Sequence, residues 1–154
     1  MKQRWLPVGV LAGTLFVVNI VARLVVRLAA GKDDGKQFWV GAVALAAVAL
    51  VMLVAAVYWM RRHQTPRVVG ELVLGGFVGG LLSSLIGPLI SSGEAFPDGA
   101  GGVIADLFYY LVVCGFGAFL GGLGIMIAGL DYKSQSWKRY AEAVNTRRGR
   151  PARG

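Results

Sequence analysis

Val68-Val69-Gly70-Glu71-Leu72-Val73-Leu74-Gly75-Gly76-Phe77-Val78-Gly79-Gly80-Leu81-Leu82-Ser83-Ser84-Leu85-Ile86-Gly87-Pro88 carries one charge in twenty-one residues. About 20 consecutive apolar residues, rising 1.5 Å each, cross the hydrocarbon core of a bilayer. A surface helix of a soluble domain would instead show a polar face at 3.6-residue spacing. This stretch therefore reads as a membrane span, extending to Ile90. Three further blocks share its character: Leu6–Leu28, Phe38–Met60 and Val103–Leu130. The fold class expected is all-α, a polytopic four-helix bundle in the membrane.

The rest of the 154-residue chain leaves no room for a second folded core. The connections are Ala29–Gln37, Arg61–Arg67 and Ser91–Gly102, and pieces this short do not bury enough surface to fold alone. Residues 1–130 thus form one bundle, followed by a basic tail, 131–154. The first block runs into Asn19, Arg23 and Arg27 with no small-residue cleavage signature, which predicts an uncleaved span.

A net charge of +8 would suggest nucleic acid in a soluble protein. Here the charge sits at membrane boundaries, where it sets orientation and attracts anionic lipid. Twelve basic residues fall on one side: Lys2 and Arg4; Arg61, Arg62 and Arg67; and Lys133, Lys138, Arg139, Arg147, Arg148, Arg150 and Arg153. The other side has Lys32 and Lys36 beside Asp33 and Asp34, and a loop with Glu94 and Asp98 but no basic residue. This asymmetry predicts both termini in the cytoplasm. Trp5, Phe38, Trp39, Tyr58, Trp59 and Tyr132 lie near block ends, where amphipathic rings favour the headgroup level.

Small residues define the expected contact faces. Gly75, Gly79, Ser83 and Gly87 recur every four residues, Gly117 and Gly121 repeat the spacing in the fourth span, and Gly9–Gly13 offer it in the first. In lipid no hydrophobic drive brings helices together, so close backbone approach at small residues does. The expectation is glycine-zipper packing within the bundle, with a homo-oligomer contact on span three as the sharper reading. Pro88 should bend or end that span.

Charged groups at membrane depth are costly and are candidate functional groups. Asn19, Arg23 and Arg27 form a polar stripe one turn apart, and Arg23 lies about 27 Å beyond Trp5 along a helix. Asp106 should reach the same outer depth and meet Arg23. Glu71 should pair with Arg62 or Arg67 on the cytoplasmic side. In the tail, Trp137, Tyr140, Ala141 and Val144 share one helical face, which predicts a short amphipathic helix on the membrane surface, followed by disorder from Asn145.

One histidine, His63, and one cysteine, Cys114, exclude a bis-histidine haem and an internal disulfide. No phosphate-binding or zinc-protease motif occurs, and Ser83–Ser84 lack a histidine base within the spans. No catalytic residue, metal site or cofactor is expected.

Gly13-Thr14-Leu15-Phe16-Val17-Val18-Asn19-Ile20-Val21-Ala22-Arg23-Leu24 resembles a group of small four-span integral membrane proteins of actinobacteria, as does Gly129-Leu130-Asp131-Tyr132 with Lys138-Arg139-Tyr140-Ala141-Glu142. The resemblance covers about a quarter of the chain. It implies a plasma-membrane location and no mechanism. Gly75-Gly76-Phe77-Val78-Gly79-Gly80 is similar to the glycine-rich span of small fluoride channels, but Leu81-Leu82-Ser83-Ser84-Leu85 replaces the polar run that follows there. The function expected is a non-enzymatic scaffold or accessory subunit, with lipid and a membrane protein or a second copy as partners and no nucleic acid. The alternative is a small oligomeric channel or transporter whose outer vestibule is lined by Asn19, Arg23 and Asp106.

Overall fold

The computed structural model describes residues 5–25, 28, 34–91 and 99–148. Arg27, Glu94 and Asp98 lie outside the described residues, as do 149–154. The described chain is all helical: α1 (Leu6–Val25), α2 (Asp34–Met60), α3 (Thr65–Ser91), α4 (Gly99–Ile127) and α5 (Tyr132–Arg148). Helices α1 to α4 are each long and apolar enough to span a membrane.

The helix limits differ from the apolar blocks for physical reasons. α2, α3 and α4 begin three or four residues before the blocks do, because backbone hydrogen bonding continues through residues that lipid need not cover. Pro66 is tolerated in the first turn of α3, where its missing N–H has no partner to lose. Pro88 does not end α3, which continues to Ser91; it cannot donate to the carbonyl of Ser84 one turn back. α5 runs on through Asn145 to Arg148, beyond the limit expected for it.

At its far end α4 stops at Ile127, not Leu130. Gly129 adopts φ +61°, its N–H donates to Met126 O at 3.0 Å, and Leu130 N–H donates to Ile125 O at 3.1 Å. This is the Schellman arrangement, and glycine enters the left-handed region without steric penalty. Asp131 then starts α5: its Oδ2 accepts the Ser134 N–H at 3.2 Å, and Lys138 Nζ returns to Gly129 O at 3.3 Å. Hydrogen bonding from Ser134, both side chain and backbone, holds the Asp131 carboxyl below the usual carboxylate range. Trp137 and Tyr140 are exposed on α5.

The closest helix pairs are not neighbours in sequence. α1 packs mainly on α3, and α2 on α4, while α1 and α4 barely touch. Within each pair the helices are parallel and keep one register. A Cβ built on Gly75, Gly79 or Gly87 would meet Leu11, Leu15 or Arg23, a constant offset of 64 residues. A Cβ on Gly117 or Gly121 would meet the backbone oxygen of Ala49 or Leu53, a constant offset of 68. Small residues every four positions thus let two backbones run side by side. The row on α3 is filled by α1 of the same chain, whereas Gly9 and Gly13 have no neighbour within 4 Å and make no packing contact of this kind.

The core formed by these pairs is mainly apolar. Leu15, Val48, Ala56 and Val68 are fully buried, with Leu11, Met52, Met60, Leu72, Cys114 and Ile125 around them. The outward surface is apolar as well, with Val10, Phe38, Trp39, Phe108, Phe116 and Phe119 exposed. A surface like this is stable against lipid and a liability against water.

Candidate functional site

The register of α1 on α3 decides what happens to the polar stripe. One turn beyond Leu15 stands Asn19, and one turn beyond that Arg23, which lies against Gly87. The Arg23 Nε–H donates to Asn19 Oδ1 at 3.0 Å. Its Nη2 faces Asp106 Oδ2 of α4 at 3.8 Å, with the arginine side chain 27% exposed and the aspartate 60%. The structure therefore brings Asn19, Arg23 and Asp106 together. That separation is longer than the roughly 2.7–2.9 Å of a charge-assisted hydrogen bond, so the two charges attract without satisfying each other.

These groups border a cavity of about 390 Å³ that all four spans line at the Arg23 end. Val40, Ala44, Leu45 and Val48 of α2 give it an apolar wall, and Ser83, Ser84 and Tyr110 add hydroxyls. Ser83 is 2% exposed and Tyr110 4%. Neither hydroxyl reaches hydrogen-bonding geometry with a protein group, although Tyr110 stands near both Ser83 and Cys114. A buried polar group left unpaired costs about 1–3 kcal/mol, so two of them in one cavity mark a place where water or a ligand belongs.

Sequence reasoning placed Ser83 in the packing row and passed over Tyr110. Two signals point to them. Tyr110 stands four residues after Asp106 and shares its face of α4. Ser83 stands opposite Asn19 in the 64-residue register, a relation visible only once α1 is known to pack on α3.

At the opposite end, Arg67 Nε donates to Glu71 Oε1 at 2.8 Å, one turn apart on α3. Arg62 does not join them. Its guanidinium stacks over the Tyr58 ring at 4.4 Å from the centroid, because the turn after α2 directs it back along its own helix. A groove of about 820 Å³ between α1 and α2 runs from Val10 and Leu50 to Arg62 and His63. Among the described residues no three metal-binding side chains converge. No protein-family model, curated protein or solved structure matches the chain.

Proposed function

We propose that the protein is a non-enzymatic subunit of the cell membrane that acts as a scaffold or accessory partner for another membrane protein. The observation that carries this reading is the blind end of the polar cavity. Below Ser83 and Tyr110, Leu15, Val48, Met52, Leu72 and Cys114 close the bundle with apolar side chains. Conduction needs polar groups at several depths, and one copy of this fold offers them at one depth.

The excess of twelve basic residues on one side supports a cytoplasmic location for that side. The Arg23 cavity then opens outward. Anionic lipid is the partner at the cytoplasmic face, where Arg62 and His63 cap the α1–α2 groove and the tail adds its own basic residues. A second reading, a small oligomeric channel or transporter, draws on the cavity itself, since Asn19, Arg23 and Asp106 line it.

Two measurements on the whole chain separate the readings. Reconstituted in liposomes, the protein should pass no chloride, potassium or protons above empty vesicles. Pull-down from native membranes in mild detergent should recover a stoichiometric membrane protein. Flux of any of the three ions would overturn the accessory reading and establish the second.

A further inference from the structure

We propose that the cavity between Arg23, Asp106, Ser83 and Tyr110 is a binding site for a small zwitterion, a molecule carrying one carboxylate and one ammonium group, as a free amino acid does. The ligand's carboxylate lies on the Arg23 guanidinium and accepts hydrogen bonds from the Ser83 and Tyr110 hydroxyls. Its ammonium group faces the Asp106 carboxylate at the mouth.

Four observations converge on this chemistry. First, among the described residues the charges lining the cavity are one cation and one carboxylate, a balanced pair that favours a neutral ligand. A simple anion would add a second negative charge beside Asp106, and a simple cation a second positive charge beside Arg23; like charges this close repel. Second, Arg23 and Asp106 stand 3.8 Å apart, an ion pair beyond direct hydrogen-bonding distance, so both keep hydrogen-bonding capacity for a ligand. A ligand with two opposite charges completes both.

Third, the polarity is graded with depth. Asp106 is exposed, Arg23 is half-buried, and Ser83 and Tyr110 are almost fully buried with unpartnered hydroxyls. Both hydroxyls can donate, so the deep end is built to receive acceptor oxygens, which a carboxylate has and an ammonium lacks. Fourth, the α2 side offers Val40, Ala44, Leu45 and Val48 as a wall without polar groups. An apolar side chain on the ligand packs there, and about 390 Å³ lies within the roughly 300–1,000 Å³ typical of small-molecule sites.

Gly87 belongs to the same design. It lets the guanidinium sit close against α3, with Nη2 facing Asp106 while Asn19 holds Nε. Arg23 is thereby fixed in orientation before any ligand arrives, which reduces the entropy lost on binding.

The test uses the full chain in lipid nanodiscs, where both faces are accessible and no partner is needed, so its result is independent of the pull-down that decides the accessory reading. The probes are the free L-amino acids, followed for each hit by its decarboxylated amine and its des-amino acid. At least one amino acid should raise the melting temperature and bind at least about 10-fold tighter than either analogue, by calorimetry. Asp106→Asn should abolish the preference over the des-amino acid. Ser83→Ala with Tyr110→Phe should weaken binding at least about 10-fold while the ligand-free melting temperature stays the same or rises. The proposal is overturned if no amino acid shifts the melt, which would leave the cavity to water. It is equally overturned if the des-amino acid binds as tightly as the zwitterion, or if the Ser83→Ala, Tyr110→Phe protein binds as the parent does.

Discussion

Arg23 occupies the space that a side chain at position 87 would need: a Cβ built on Gly87 would fall 2.5 Å from the Arg23 Nε and 2.6 Å from its Cζ. The glycine is thus a seat for a guanidinium as well as a point of helix contact. The obstructing atoms are the far end of a flexible side chain, so Gly87→Ala should leave the α1–α3 spacing intact and swing Arg23 away. The hydrogen bond from Nε to Asn19 would be lost, at a cost of about 1 kcal/mol in the stability measured by melting in detergent. Asn19→Ala should cost a similar amount alone and little more in the Gly87→Ala background, because the two changes remove the same bond. Full additivity would mean that Arg23 keeps its hold on Asn19 despite the new methyl group.

A double-mutant cycle on Arg23 and Asp106 should give a modest coupling. A buried, hydrogen-bonded pair would lose about 1–3 kcal/mol with either partner. The 3.8 Å separation and the exposure of Asp106 lower the coupling itself toward that of a surface pair, about 0.5–1 kcal/mol. Arg23→Ala and Asp106→Ala should therefore be slightly less than additive in chemical denaturation. Coupling above about 2 kcal/mol would require the pair to close into a direct hydrogen-bonded bridge.

How much of this was legible beforehand divides along one line. The spans, their number and the meeting of Arg23 with Asp106 follow from hydropathy and depth, which single residues such as Trp5 and Asp106 reveal. The partner of each helix does not. Gly75, Gly79 and Gly87 announce that something approaches closely, yet only the three-dimensional register shows that it is Leu11, Leu15 and Arg23. Gly9 and Gly13 carry the same spacing and receive no neighbour. Ser83 and Tyr110 lay hidden for the same reason, since an unpaired hydroxyl becomes visible only when its surroundings are known. Arg62 is the opposite case: shared depth favoured Glu71, and its guanidinium stacks on Tyr58 instead.

The start of α5 should be sensitive to acid. The Asp131 carboxyl titrates below the usual range because Ser134 hydrogen-bonds its charged form. Such a group stabilises the folded helix above its unfolded pKa, near 4, and the contribution is lost as pH falls through the lower folded value. The protection factors of amides 132–138, corrected for intrinsic exchange, should fall in that acidic window and stay flat from pH 5 to 8. Asp131→Asn, which still caps through its side-chain oxygen, should keep the protection at neutral pH and remove the acid response. A parent protein whose α5 protection factors do not fall on acidification would show that the cap contributes nothing.

Orientation can be read by labelling on a Cys114→Ala background, Cys114 being buried and the only cysteine. A membrane-impermeant maleimide added to intact cells should modify Lys36→Cys and leave Arg61→Cys and Lys138→Cys unmodified until the membrane is opened. The basis is the excess of Lys and Arg on the side of Arg61 and Lys138. Labelling of Lys138→Cys in intact cells would invert the topology and turn the Arg23 cavity toward the cytoplasm.

The two parallel pairs make a graded prediction for three glycines. At Gly117 a methyl group would meet the backbone carbonyl of Ala49, and a main chain can yield only by moving the whole of α2. Gly117→Ala should therefore destabilise by about 1–3 kcal/mol, the usual range for overpacking, and at its upper end. At Gly79 the nearest atom would be the Leu15 Cβ at 3.2 Å, a contact that a shift of a few tenths of an ångström relieves. Gly79→Ala should cost less, and Gly79→Leu, which no such shift accommodates, should separate α1 from α3 and lower the melting temperature sharply. At Gly124 nothing lies within 4 Å, so Gly124→Ala should be neutral or slightly stabilising through helix propensity. The order expected in one detergent is Gly117→Ala least stable, then Gly79→Ala, then Gly124→Ala. If Gly124→Ala were as damaging as Gly117→Ala, α4 would be pressed against another surface at Gly124, and the pairing of α2 with α4 through Ala49 and Leu53 would not be what holds the bundle together.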